Sequence, residues 1–287
     1  MREFNFLGAG ELKLLAREWL SSSESFRGTI FGCHGYTEHS GRYQDFAAKA
    51  NERGFNLALF DLPGHGLSEG RRSDIRRFDD YVLSLSLLFE EIKKRKLNGP
   101  YYLFGHSLGG LICIRFLQTA PQISEVSKVG LVCPLLGLSP YSFHGVGNFV
   151  QSALGVKLLR TACRLLPNFT LPNKGESGVD VLTHDLEIAR ERALDPLIHP
   201  SVTIRWTREF LGAIERAFKD APRIHTPLAI FQAGDDRVVS VKAPRRFFDN
   251  IAVSNKKFIE YPGMWHELLH EVNRAQVRTD ILDWFEG

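Results

Sequence analysis

Cysteine is scarce in this chain. Four stand among 287 residues, at positions 33, 113, 133 and 163, and no two form a C-x-x-C pair. A disulfide scaffold is excluded, and thiols packed as small hydrophobes in a reducing compartment are the economical reading. Charge of one sign is also missing: 36 Lys and Arg face 33 Asp and Glu, a net of +3. That balance is too even to imply nucleic acid as a partner. No apolar run reaches the ~18 residues needed to span a bilayer. Met1-Arg2-Glu3-Phe4 leads into no uninterrupted apolar stretch, so no secretory signal is expected. Internal repeats and low-complexity segments are absent. What remains is 44% hydrophobic and 24% charged residues, an ordinary globular composition with ample material for a large core. A cytoplasmic location follows as the expectation, with no protein partner implied.

The hydrophobic pattern alternates between periods. The first twenty residues suit a small antiparallel hairpin around Gly8 and Gly10. From Gly28 the chain reads strand (29–33), helix (43–54), strand (55–60), helix (78–96), strand (101–104), helix (108–118) and strand (128–133). This order predicts an α/β fold with a mostly parallel central sheet flanked by helices. The rhythm then breaks: residues 137–222 carry helical patterns and no convincing strand. It resumes with strand 227–233, helix 241–251, strand 256–261 and helix 271–285. The predicted organisation is a core of residues 1–136 and 223–287, with 137–222 inserted as a helical lid after the strand 128–133. An insertion there lies over the carboxyl ends of the strands, where such sheets bind ligands.

Two serines fit G-x-S-x-G, the pattern of a nucleophile held on a sharp strand-to-helix turn. Ser107, in Gly105-His106-Ser107-Leu108-Gly109, follows an apolar strand and opens an apolar helix. Ser68, in Gly66-Leu67-Ser68-Glu69-Gly70, opens no helix and reads as a loop serine. A serine nucleophile needs a base and the base an orienting acid, arriving after later strands in the order Ser, Asp, His. Gly234-Asp235-Asp236-Arg237-Val238-Val239 supplies an acid at a strand end, and Pro262-Gly263-Met264-Trp265-His266 supplies a histidine in a turn. Asp236 is favoured over Asp235, which would then be a loop residue or a helix cap. His270 reads as a surface or helix-face histidine. Two backbone N–H groups should receive the developing oxyanion: that of Leu108, opening a helix, and that of Tyr36 in Cys33-His34-Gly35-Tyr36.

These residues resemble the α/β-hydrolase superfamily, and within it the monoacylglycerol lipase and lysophospholipase branch. His34, Gly35, Glu38, His39, Ser40, Gly41, Arg42 and Tyr43 fit the branch's H-G-x-x-E-H-S-G-R-Y element. Asp61, Gly64, His65, Gly66, Ser68 and Gly70 fit its next loop, and Gly105 to Gly110, 233–239 and 261–267 complete the match. The resemblance covers residues 28–270, with the lid matching poorly and Tyr36 standing where a small residue is common. It implies an α/β-hydrolase fold, a triad of Ser107, Asp236 and His266, and hydrolysis of carboxylic esters through an acyl-enzyme without metal or cofactor. The implied substrate is a lipid carrying one acyl chain, a monoacylglycerol or lysophospholipid. An esterase or thioesterase for short or aromatic acyl groups is the alternative.

Other readings compete locally. Glu38 and Arg42 either pair and fix the start of the following helix, with Ser40 as its N-cap, or contact substrate. His266-Glu267-Leu268-Leu269-His270 spells the zinc-peptidase pattern H-E-x-x-H, which requires both histidines on one face of a continuous helix. Pro262-Gly263 argues instead for a turn at His266. A non-catalytic binding protein on a hydrolase fold would usually lack a triad member. In the lid, Phe143, Phe149 and Leu158 are candidates for the acyl-chain wall, unless they form the lid's own core. Residues 137–175 carry Lys157, Arg160, Arg164 and Lys174 and no acid, whereas 176–222 carry nine acids against six bases. Lys157, Arg160 and Arg164 share a helical face, with Leu154, Leu158, Ala162 and Leu165 as an apolar stripe. Such a helix either lies peripherally on a lipid surface or packs its stripe on the core with the basic face in water.

Overall fold

The structure is a computed structural model that describes residues 1–142, 147–172, 181–199 and 201–287. An N-terminal hairpin, β1 (Arg2–Leu7) and β2 (Lys13–Trp19), precedes β3 (Gly28–Cys33), α1 (Gln44–Glu52) and β4 (Phe55–Phe60). Then come α2 (Phe78–Lys94), β5 (Tyr101–His106), α3 (Leu108–Thr119) and β6 (Val126–Val132). The eight-stranded sheet runs β1-β2-β4-β3-β5-β6, followed by two later strands, β9 (Leu228–Ala233) and β10 (Lys256–Tyr261). From β4 to β10 every neighbouring pair is parallel, while β2 pairs antiparallel with both β1 and β4. The central strands read as mostly apolar runs, interrupted by Thr29, Asn56 and Gln232, because helices cover both faces: every residue of β3, β4 and β9 is buried.

The helices follow from local signals. The first turn of α2 carries Asp79 and Asp80 and its last turn Lys93 and Lys94, which complements the helix dipole at both ends. α3 is apolar on nearly all faces, and ten of its twelve residues are buried. It packs against β3, β5 and β6 and against α2 and the helix Ile204–Lys219, which leaves it no solvent face to be polar.

Residues 137–222 contain a short helical turn (Gly147–Val150), α4 (Ala153–Leu165), α5 (Leu186–Leu194) and α6 (Ile204–Lys219). The expectation of no strand here is wrong. β7 (Thr170–Pro172) pairs antiparallel with β8 (Ser201–Thr203). Three-residue strands are too short to show a period in sequence. After β9, α7 (Lys242–Asn250), β10 and α8 (Arg274–Glu286) complete the chain. The sheet order reverses at β3: β4 lies on one side of it and β5 on the other. The loops leaving the carboxyl ends of β3 and β5 therefore flank the crevice where open parallel sheets hold their ligands.

Candidate active site

Ser107 sits between β5 and α3 with φ +50° and ψ −114°, a backbone conformation that non-glycine residues rarely adopt. The turn is possible because its flanks lack side chains. A Cβ on Gly105 would stand 2.6 Å from the Gly109 carbonyl oxygen, and one on Gly109 would stand 2.4 Å from that of Cys33. Side chains there would push β5, α3 and the β3 loop apart. The sharp turn lifts Ser107 Oγ off the sheet at the head of α3, where the first N–H groups, Leu108's among them, have no intrahelical acceptor.

Three loops converge on that hydroxyl. His266 Nε2 lies 2.9 Å from Ser107 Oγ, and His266 Nδ1 lies 2.7 Å from Asp236 Oδ2. The other Asp236 oxygen accepts the N–H groups of Val238 and Val239, each at 2.8 Å, which fixes the carboxylate with one oxygen toward the imidazole. All three side chains are buried. Burial works against the charged imidazole, but the Asp236 carboxylate outweighs it, and the His266 pKa is raised above its ordinary value. With Nδ1 donating to Asp236, Nε2 is the acceptor for the serine proton. The arrangement can deprotonate Ser107 as it attacks an electrophile and return the proton to a leaving group.

Behind His266 lies a buried charge network. Glu38 accepts the Gly35 N–H at 2.5 Å and the Tyr43 hydroxyl at 2.9 Å, and contacts His106 Nδ1 at 2.8 Å and Arg42 at 3.0 Å. Arg42 grips Glu267 with both terminal nitrogens, at 3.0 and 2.8 Å. Both carboxyl groups titrate below the usual range: desolvation opposes this, but His106 and Arg42 prevail at Glu38, and Arg42 and Arg192 at Glu267. Gly35 belongs to the loop that carries Tyr36, and Glu267 follows His266. The network thus ties the loop after β3 to the loop that delivers the base.

Cys133, Asp236 and His266 present a sulfur, a carboxylate oxygen and a ring nitrogen within 4.8 Å of one another, the one potential metal-ligand cluster among the described residues. Both His266 nitrogens are already engaged, and burial pushes the Cys133 thiol well above its ordinary pKa, away from the thiolate a metal requires.

The remaining expectations divide: Ser68 stays a loop serine, Glu38 and Arg42 pair and His266 lies in a turn, whereas Ser40, His270, Phe149 and Leu158 are placed otherwise than expected. Ser68 is buried; its hydroxyl donates to the Asp61 carbonyl and accepts the Leu15 N–H, a structural role. Asp235 is exposed and caps no helix, Val241 being the residue before α7. Glu38 and Arg42 do pair, but Ser40 is not a helix cap. It bonds Asp61 and Arg17 in the interior, and His39 caps the short turn at Ser40–Tyr43 instead. His270 is not at the surface: it is buried, with Nε2 3.0 Å from the Arg42 carbonyl, and burial draws its pKa down to about 4. A polar side chain reads naturally as a surface residue, but the Arg42 carbonyl gives Nε2 a partner in the interior, while Nδ1 has no hydrogen bond and lies 3.7 Å from Glu267. The H-E-x-x-H helix does not form. His266 lies before a 3-10 turn at Leu268–His270, and the two histidines point to different partners. Phe149 and Leu158 are exposed and do not line the cavity at Ser107; Phe143 lies outside the described residues. Tyr36 lines that cavity, and its ring stacks on Trp206 of α6 with centroids 3.9 Å apart.

Sequence reasoning missed Glu267 as a partner of Arg42, and Arg192 of α5, whose Nη2 donates to Thr37 at 2.8 Å. No local pattern marks either, because each pairing joins residues more than 150 positions apart. The cavity lined by Ser107, His266, Leu182 and Arg192 encloses only about 40 Å³, close to the space of one water.

The model of the family described as serine aminopeptidase, S33 (Hydrolase_4) matches residues 24–273. The chain is 30% identical over 249 residues to phospholipase YtpA of Bacillus subtilis, covering 85% of this chain and 89% of that protein. To the monoglyceride lipase of Rattus norvegicus it is 30% identical over 274 residues, covering 91% and 85%. Among solved structures, the Paleococcus ferrophilus monoacylglycerol lipase superimposes with a TM-score of 0.79 at 26% identity, covering 95% of this chain and 98% of that one.

Proposed function

Since the chain belongs to the serine aminopeptidase S33 (Hydrolase_4) family of α/β-hydrolases, we propose that it hydrolyses single-acyl lipid esters with Ser107 as nucleophile. It is a serine ester hydrolase of the monoacylglycerol lipase type, acting on monoacylglycerol or lysophospholipid-like substrates. The observation that carries the assignment of roles is the unbroken hydrogen-bonded line from Asp236 through His266 to Ser107. Ser107 Oγ attacks the ester carbonyl as His266 Nε2 takes its proton. The carbonyl oxygen, now negative, is received by the N–H groups of Leu108 and Tyr36, each such donor contributing about 3 kcal/mol in the transition state. His266 then protonates the leaving alcohol, and the acyl group stays on Ser107. A water deprotonated by His266 attacks the acyl-enzyme and frees the fatty acid. Asp236 fixes the tautomer and stabilises the imidazolium.

The core is residues 1–136 and 223–287, and 137–222 act as the cap. The cap meets lipid surfaces through α4. Its packing face is made by Gly155, Val156, Leu159 and Cys163, while Leu154, Leu158 and Leu165 are 59%, 53% and 75% exposed on the outer face beside Lys157 and Arg164. Of the sixteen large hydrophobic side chains exposed among the described residues, nine belong to this insertion, an apolar concentration that favours an interface. No described helix is long and apolar enough to cross a membrane. The reading is tested with a series of glycerol monoesters from acetyl to oleoyl. Specificity constants rising with chain length support it; a sharp optimum at acetyl or butyryl would return the function to a short-chain esterase.

A further inference from the structure

The cavity beside Ser107 contains a cation whose donors are unspent. Arg192 descends from α5 with its side chain 6% exposed and lines the same cavity as Ser107 and His266. Nη2 donates to Thr37, but Nε and Nη1 have no hydrogen-bond partner. The nearest carboxylate oxygen, on Glu267, stands 3.4 Å from Nη1 without hydrogen-bond geometry. Both Glu267 oxygens already accept from Arg42, and Glu38 is occupied by Gly35, Tyr43, His106 and Arg42. The two carboxylates balance the two guanidinium charges in number, yet the Arg192 N–H groups are left over. Burial draws the Arg192 pKa down even with Glu267 close by, so the site under-stabilises this cation. Arginine does not escape by losing its proton, so its two spare donors call for an acceptor from outside, a water in the resting cavity or an anionic group of a bound ligand.

Two features fix where that anion would come from. Arg192 lines the cavity together with Thr37, Glu38, His106 and Glu267, a mostly polar set. Ser107 lines the same small cavity, so a group held by Arg192 would lie beside the reacting serine. We infer that Arg192 receives the head group of the substrate and selects single-acyl lipids bearing a phosphate on that head over uncharged monoacylglycerols. A planar guanidinium suits phosphate oxygens through charge-assisted hydrogen bonds. This rests on the ester-hydrolase reading above and narrows its substrate class. The head enters as Leu182 gives way, since the cavity as it stands has no room for it.

The test compares oleoyl lysophosphatidate with oleoylglycerol, each at the same mole fraction in neutral detergent micelles, for wild type, Arg192→Gln and Arg192→Lys. The ratio of kcat/KM for the anionic over the neutral lipid should fall about tenfold or more in Arg192→Gln, mainly through KM, and be partly restored in Arg192→Lys. A ratio constant across the three proteins overturns the inference and leaves Arg192 as a brace between cap and core. Turnover of neither lipid by wild type would overturn the ester-hydrolase reading, and this inference with it. A second measurement is independent of turnover. Glycerol phosphate should slow fluorophosphonate labelling of Ser107 in wild type and not in Arg192→Gln, whereas glycerol should slow neither. Equal protection by the two compounds contradicts a phosphate site.

Discussion

Glu38→Gln should be among the most damaging conservative changes in the chain, although Glu38 lies outside the Ser107–His266–Asp236 line. Its carboxylate is 1% exposed and serves four partners, the Gly35 N–H, the Tyr43 hydroxyl, His106 and Arg42. The amide has one acceptor oxygen and turns an NH₂ group toward donors. Breaking a buried ion pair by removing one partner costs about 3–5 kcal/mol. Arg42 retains Glu267, which favours the low end, but at least one orphaned donor adds about 1 kcal/mol, for a total of about 4 kcal/mol. At roughly 2–4 °C per kcal/mol for a chain of this size, the melting temperature should drop by about 8–15 °C. Urea midpoints and thermal melts measure the loss. The pH dependence gives a second reading. The folded-state pKa of Glu38 is depressed, so its stabilisation is present above the ordinary carboxylate pKa of 4.5 and is lost as pH falls toward the folded value. The gap between wild type and Glu38→Gln should therefore be full at pH 7 and narrow below about pH 4.5. Lys49→Gln, which removes an exposed pair with Glu52, should change stability by less than about 0.5 kcal/mol. A folded Glu38→Gln protein as stable as wild type at pH 7 would refute the claim that this network holds the two loops.

Three further outcomes follow from the site and the cap. Activity should fall on the acid side, because a protonated His266 cannot accept the serine proton; with the folded pKa raised, the midpoint of that limb in kcat/KM should lie above 6.5. Asp236→Asn removes the anion that raises it and should cut kcat by about 10⁴-fold while the fold is retained, as circular dichroism would verify. At low salt, wild type should sediment with anionic vesicles more than a Lys157→Glu, Arg160→Glu, Arg164→Glu variant does, and equal binding would remove the cap from the lipid surface.

The core was legible because its signals are local. The strand Phe55–Phe60 reads directly from a mostly apolar run and Lys256–Tyr261 from a short stretch around Phe258 and Ile259 before a Pro-Gly turn, and the elbow at Ser107 is announced by two glycines that no side chain could replace. Asp236 and His266 were found by their places after β9 and β10. The charge network was not legible. Glu38 and Arg42 are four residues apart and could be paired on paper, but Glu267 and Arg192 reach them only through the tertiary fold. His270 misled for the same reason, since a histidine's burial depends on partners that sequence does not place beside it. In the cap, the Leu154, Leu158 and Leu165 stripe was visible. Its direction was not, because Val156, Leu159 and Cys163 form an alternative apolar face that does the packing.

The central claim is that Ser107 alone carries the acyl group. Intact-mass and peptide analysis after fluorophosphonate treatment tests it most directly, with oleoylglycerol turnover followed on the same samples. Wild type should gain one equivalent of label on the peptide containing Ser107 and lose turnover in proportion, and Ser107→Ala should fold normally, take up no label and hydrolyse no ester. Label on Ser68, or turnover persisting in Ser107→Ala, would contradict the account.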